Sequence, residues 1–303
     1  MTLAGTSTGS TTTDGSGFYS FGSLSSGGSY TVTPTKAALA PASTGISTVD
    51  VIAIQRQTLN IGTPLTGCRL TAADVNGING VDTIDVIATQ RFALGLTTGT
   101  ANVGKYNFAP ASRSYSGIVS NQNGQNYDAL VYGDVASGYV HRPSGPSPDS
   151  LDTPAEAGED SLSVKVEVEL SHGTVDSLVT DFIAPVTTTF LDTKNQLVGF
   201  QGDFTFDERM VTFLDPPVQN AGLTATDWNV SGNVLPGPGP IRTLRVSAFS
   251  LDFTPLSGSG TLFELLMTRV HMSAPTTQFL WAPAPDDFIF IDTDLHTQRL
   301  SMP

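Results

Sequence analysis

Apolar and polar residues alternate without a break from Leu162 through Val164, Val166 and Val168 to Leu170, the period-two pattern of a strand with one buried face. Further runs of the same kind cover residues 197–207, 211–213, 241–249 and 255–265, and Trp228 and Val230 mark another. Short strands at this spacing predict a β-sandwich over residues 160–303. At the other end, Thr2 to Gly5 reads as a strand, and Asp14-Gly15 gives a turn signal ahead of Phe18, Tyr19 and Phe21. Tyr30 and Val32 alternate again after a Gly-rich turn, so these segments are expected to be hairpin strands. Residues 104–117 and 127–134 return to strand alternation.

A different period lies between. Residues 46–59 and 81–94 share the pattern I/V-x-T-x-D-V-I-A-x-Q-R-x-x-L, an internal repeat. In each copy apolar residues recur at helical spacing (Val51, Ile52, Leu59; Val86, Ile87, Leu94), with an Asp near the start and a Gly soon after the end. Each predicts a short amphipathic helix. Asp50 and Asp85 also stand where a carboxylate caps a helix, which is the reading preferred for Asp50.

Ahead of the second helix, Asp74, Asn76, Asp82 and Asp85 occupy the first, third, ninth and twelfth places of a loop that runs through Gly77 and Gly80. A hard cation needs six to eight oxygens, and this spacing lets alternate side chains and a carbonyl converge on one. The expected metal set is Asp74, Asn76, Ile78, Gly80, Asp82 and Asp85 with Ca2+. Ile78 has no side-chain oxygen where a ligand belongs, so Asn79 or a main-chain carbonyl must substitute. The first repeat has Leu39, Pro41 and Ser43 at the equivalent places, and no tight calcium site is expected there.

With these residues the repeat resembles a dockerin, whose duplicated loop-helix segments bind calcium and present helices to a cohesin. The pattern T-D-x-x-G-x-Y-x-F followed by a Gly-rich turn and Tyr30-Thr31-Val32 resembles the carboxypeptidase-regulatory-like family of prealbumin-type sandwiches. Its usual first strand has no counterpart before Met1, which implies an open sheet edge that either a longer precursor or a neighbouring molecule completes. The L-V-G-F-Q, F-x-F-D and P-L-S-G-S-G-T-L-F-E-L segments of residues 160–303 are similar to cohesins, nine-stranded jelly-roll sandwiches that bind dockerins across one sheet face. The resulting expectation is a mainly β chain: a partial prealbumin-like sandwich over 1–141 that carries a dockerin-like insert at 37–104, a linker at 142–159 rich in Pro, Ser and acid, and a cohesin-like β-sandwich at 160–303.

Composition narrows the function. The formal net charge is −14 in 303 residues with pI near 4.4, and no basic patch is visible, so nucleic acid is not an expected partner. No stretch approaches the ~20 apolar residues of a membrane span. Cys68 is the single cysteine, which excludes an internal disulfide and a thiolate zinc site. His141, His172, His271 and His296 lack ligand spacing and are expected at the surface. The acid pairs Glu159-Asp160 and Asp286-Asp287 are expected in solvated loops, with no phosphate loop or nucleophile elbow anywhere. No catalytic residue is expected. The partner implied is a second copy in a head-to-tail filament outside the cell or at its surface. A different cohesin or dockerin partner is the alternative, with the chain as a docking scaffold. Carbohydrate binding through Trp228, Trp281 and nearby aromatics is a third reading, in which Trp228 itself is expected in the core.

Overall fold

A computed structural model describes residues 1–43, 45–136, 166–168, 181–270, 280–281 and 288–299. The chain is mainly β. Before the repeat come β1 (Thr2–Gly5), β2 (Gly9–Ser10) and β3 (Gly28–Thr33); after it come β4 (Tyr106–Ala109), β5 (Arg113–Ile118) and β6 (Asp128–Val131). They form an antiparallel sheet in the order β2-β1-β3-β5 and a small β4-β6 ladder. Leu3, Tyr30 and Val32 are buried on one face of the larger sheet, against Tyr19, Phe21, Tyr115 and Ile118.

Residues 18–21 depart from the expected strand. Asp14 makes the turn, accepting bonds from the amides of Ser16 and Phe18 at 2.9 Å. The aromatics beyond it then join no ladder, because no strand lies beside them to receive their backbone bonds. Tyr19 and Phe21 alternate inward onto the sheet all the same.

The two repeats form α1 (Thr48–Thr58) and α3 (Thr83–Ala93), with an unanticipated short helix, α2 (Gly67–Ala73), between them. Each repeat helix begins with a reciprocal cap. The side chain of Ser47 or Asp82 accepts an amide two residues on, while Asp50 or Asp85 accepts the amide of the cap residue.

The second half contains β7 (Val166–Val168), β8 (Asp181–Leu191), β9 (Leu197–Asp207), β10 (Val211–Asn220), β11 (Trp228–Leu235), β12 (Ile241–Ser250), β13 (Gly258–Arg269), β14 (Leu280–Trp281), β15 (Ile289–Asp292) and β16 (Thr297–Arg299). One sheet runs β10-β13-β8-β7 and the other β11-β12-β9-β15-β16, with β14 also pairing with β9. Of the predicted strand from Leu162 to Leu170, Val166–Val168 falls within the described residues; the linker at 142–159 lies outside them. The core is aromatic. Phe200 stands with its ring 5.3 Å from Phe288, 5.7 Å from Phe263 and 5.9 Å from Trp228, all at stacking angles.

The strands β9 and β12 are buried on both faces. Phe200, Phe204, Leu244 and Val246 point into the sandwich, while Val198 and Phe249 pack against Val51, Ile52 and Ile54 of α1. Replacing Phe200 by Ala empties the centre of the aromatic stack and is expected to lower unfolding stability by ~3–5 kcal/mol, read as a shift of the urea midpoint at unchanged slope.

Candidate functional site

The helix pair is seated on the outer face of the β11-β12-β9 sheet, and its contacts come from matching positions of the two repeats. Gln55 and Gln90 are both the Gln of the A-x-Q-R pattern. Gln55 Nε2 donates to the carbonyl of Ser250 at 2.6 Å, and Gln90 Nε2 donates to Asn229 Oδ1 at 2.9 Å and to the carbonyl of Ser247 at 3.3 Å. Both glutamines are buried. Thr48 adds two bonds, its amide to Gln201 Oε1 at 2.9 Å and its hydroxyl to Ser247 Oγ at 2.8 Å. At the far end of α3, Asn233 Nδ2 donates to the carbonyl of Leu94 at 2.8 Å.

Apolar packing fills the space between these bonds. Ile52, fully buried, lies over Gly199, where an added Cβ would collide with its Cδ1. At the margin, Arg245 pairs with Asp203 at 2.7 Å and reaches the carbonyls of Ala42 and Ala93 at 3.3 Å each. The interface therefore combines an apolar centre with hydrogen bonds that are neutral except for those of Arg245 at the margin.

The expected calcium loop leads into α3. Asp74 Oδ1 accepts the amide of Gly77 at 2.8 Å, Asn76 Oδ1 that of Ile78 at 2.6 Å, and Asp82 Oδ1 that of Ile84 at 2.8 Å. Asp85 is fully buried, with its two oxygens on the amides of Asn76 (3.1 Å) and Asp82 (2.8 Å). Burial holds the Asp85 carboxyl above its ordinary pKa, opposed by those two amides and reinforced by the nearby charges of Asp82 and Asp74. Gly77, Asn79 and Gly80 take positive φ, which gives the loop its curvature. The side chain of Ile78 is exposed.

The donor set suits a hard divalent cation: all oxygen, and rich in carboxylate. Among the described residues, however, no three carboxylate, thiolate or imidazole groups are gathered closely enough to ligate one ion. A bound ion would have to draw Asp74 and Asp82 inward.

The first repeat solves the same problem with a distant segment. Asp50, the counterpart of Asp85, is buried and accepts the amides of Ser47 and Val135 at 2.9 Å and that of Ala136 at 3.0 Å. Asp134-Val135-Ala136 thus stands to Asp50 as Asp74-Val75-Asn76 stands to Asp85, and both valines are buried. Residues 134–136 are here the missing half of the first repeat, returned from the end of the N-terminal region. Burial raises the pKa of Asp50, against the pull of its three amides.

Sequence reasoning did not single out Gln55, Gln90, Thr48, Asn229, Asn233, Ser247 or Arg245. The two glutamines carried a signal, since both repeats place a neutral polar residue at the same point of an otherwise apolar helix face. Of the histidines, His296 is exposed beside Asp292 at 3.3 Å; His141, His172 and His271 lie outside the described residues, as do both acid pairs and the Trp281 side chain. Trp228 is buried in the core, and Cys68 is exposed. No helix among the described residues is long and apolar enough to cross a membrane.

No protein-family model matches the chain, and no curated protein does. Among solved structures, a cohesin module from a family 33 glycoside hydrolase of Clostridium perfringens is similar at 11% identity and a TM-score of 0.33, over 45% of this chain and 87% of that one. A cohesin from a type I cohesin–dockerin complex of Clostridium thermocellum gives 13% identity and a TM-score of 0.33 over 46% and 92%. The sixth cohesin of Acetivibrio cellulolyticus scaffoldin B, solved with a dockerin, gives 13% and 0.30 over 40% and 84%. At these values the likeness assigns no role to any residue here.

Replacing Asp50 by Ala leaves the amides of Ser47, Val135 and Ala136 without an acceptor in a buried place. The expected loss is ~3 kcal/mol or more, with amide exchange at Val135 and Ala136 accelerated selectively; unchanged exchange there would show that the clamp is idle.

Proposed function

We propose that the chain is a secreted or surface-exposed, non-catalytic structural subunit whose calcium-stabilised helix pair is a plug and whose β11-β12-β9 face is a socket. The observation that carries this reading is the helix-to-sheet interface itself, in which both repeats engage the sheet through equivalent glutamines. The same contact can be made within one copy or between two. Made between copies it is heterologous, and such contacts propagate as open fibres unless rotation closes a ring.

Calcium belongs to this reading as the ion that would draw Asp74, Asn76, Asp82 and Asp85, with main-chain carbonyls at Ile78 and Gly80, into one site. Ligand exchange would then release Asp85 from part of its electrostatic stress. The sheet face supports protein docking over chemistry: its polar contacts to the helices come mainly from Gln, Ser, Thr and Asn, with one Arg245–Asp203 pair at the margin, and these recognise shape and hydrogen bonds.

The test is sedimentation of the purified chain over a wide concentration range, with calcium and with a chelator. Mass is expected to grow with concentration in calcium and to fall towards the monomer in chelator. Ile52→Asp, which places a charge over Gly199, is expected to abolish growth and to expand the monomer in small-angle scattering. A monomer at every concentration in both conditions would sink self-assembly. Separately, calcium is expected to raise the melting temperature of the native chain and to leave that of Asp74→Ala unchanged; an equal shift in both rejects the loop as the site.

A further inference from the structure

The N-terminal sheet carries a groove of about 700 Å³ over its apolar face, walled by residues 17–24 on one side and 119–126 on the other. Its floor is formed by Leu3, Tyr30, Val32, Tyr115 and Ile118. Both walls are made of chain outside any ladder. The first wall nevertheless alternates as a strand does: Gly17, Tyr19 and Phe21 are half-buried, while Phe18, Ser20 and Gly22 are exposed.

Among the described residues the amides of both walls are unused; the carbonyls of 19–24 are unused as well, whereas those of Ser120, Asn123, Gly124 and Gln125 accept local bonds, that of Gln125 from the Tyr19 hydroxyl. The amides of residues 19–24 and 119–125 make no hydrogen bond to any described residue. Unpaired backbone on one side is an ordinary sheet edge; unpaired amides on both sides of an apolar floor, with unpaired carbonyls on one, leave room for a strand. A wall of six residues is ~20 Å long.

The chemistry of the lining selects the occupant. Neither wall nor floor contains a charged residue, in a chain of net charge −14. The tyrosine hydroxyls, which a sugar would need as handles, are already engaged: Tyr19 donates to the carbonyl of Gln125 at 2.6 Å, Tyr115 to Gln125 Oε1 at 3.1 Å and Tyr127 to the carbonyl of Val32 at 2.9 Å. Tyr19 and Phe21 meet edge to face at 69° and so present no open ring platform. What remains above the apolar floor is the main-chain amides of both walls, the carbonyls of 19–24, and neutral Ser, Asn and Gln side chains.

We infer that this groove accepts an uncharged β-strand from another polypeptide, with apolar side chains at alternate positions directed at Tyr30, Val32 and Ile118. The inserted strand pairs with the amides and carbonyls of 19–24 on one side and meets the free amides of 119–125 on the other, adding a strand to the N-terminal β-structure. This site is separate from the helix socket, so either can fail alone.

The experiment is amide hydrogen exchange on the full chain with a blocked eight-residue peptide that alternates valine with serine and threonine. A control peptide carries proline at each polar position and has lost its backbone donors there. In millimolar excess the first peptide is expected to slow exchange at residues 19–24 and 119–125 together by about tenfold or more, and the control to leave both unchanged. Protection of both walls that grows with protein concentration alone identifies the donor as a second copy and also supports the inference. Unchanged exchange under every condition overturns it, as does protection of one wall only, or protection by cellohexaose and not by the peptide. The Ile52→Asp variant, deficient in helix docking, is expected to respond to the peptide as the parent chain does.

Discussion

The whole arrangement depends on β9 being approached closely from both faces at once. Gly199 admits Ile52 of α1 from outside, and Gly202 admits Phe288 from within, where an added Cβ would lie 2.5 Å from the Phe288 ring. Side chains at those two positions would push the helix off the sheet or split the aromatic core. Because neither has one, a single strand belongs to two apolar clusters, and the packing of the sandwich and the seating of the helices become one problem. Close packing of this kind transmits small displacements, since protein interiors have little free volume to absorb them.

The helix pair has a near two-fold internal logic that the chain completes in two different ways. In the second repeat, loop and helix are contiguous, and Asp85 collects its amides from nine and three residues upstream. In the first, the loop half arrives from residues 134–136, more than eighty positions downstream of Asp50. In the folded chain the N-terminal region therefore closes its own last segment onto the start of its first helix.

The polarity of the docking face suits a contact that forms and separates. Neutral hydrogen bonds contribute ~1 kcal/mol each, and the marginal Arg245–Asp203 pair, with side chains 22% and 8% exposed, sets orientation more than affinity. The apolar centre at Ile52, Val198 and Phe249 supplies the rest.

Much was legible in the residues themselves. Alternation located β9, β12 and β13 because one face of each strand meets the core, and the duplicated Asp-Val-Ile-Ala unit located α1 and α3 because helix caps and apolar periodicity are local. Strand pairing, by contrast, depends on what lies alongside: residues 18–21 have the pattern of a strand and no partner. The function of Gln55 and Gln90, the clamp on Asp50 and the double burial of β9 all arise from groups separated by more than eighty residues. Short-range periodicity carries no record of such meetings; only the packed chain brings them together, where unsatisfied backbone groups and unfilled volume leave few other solutions.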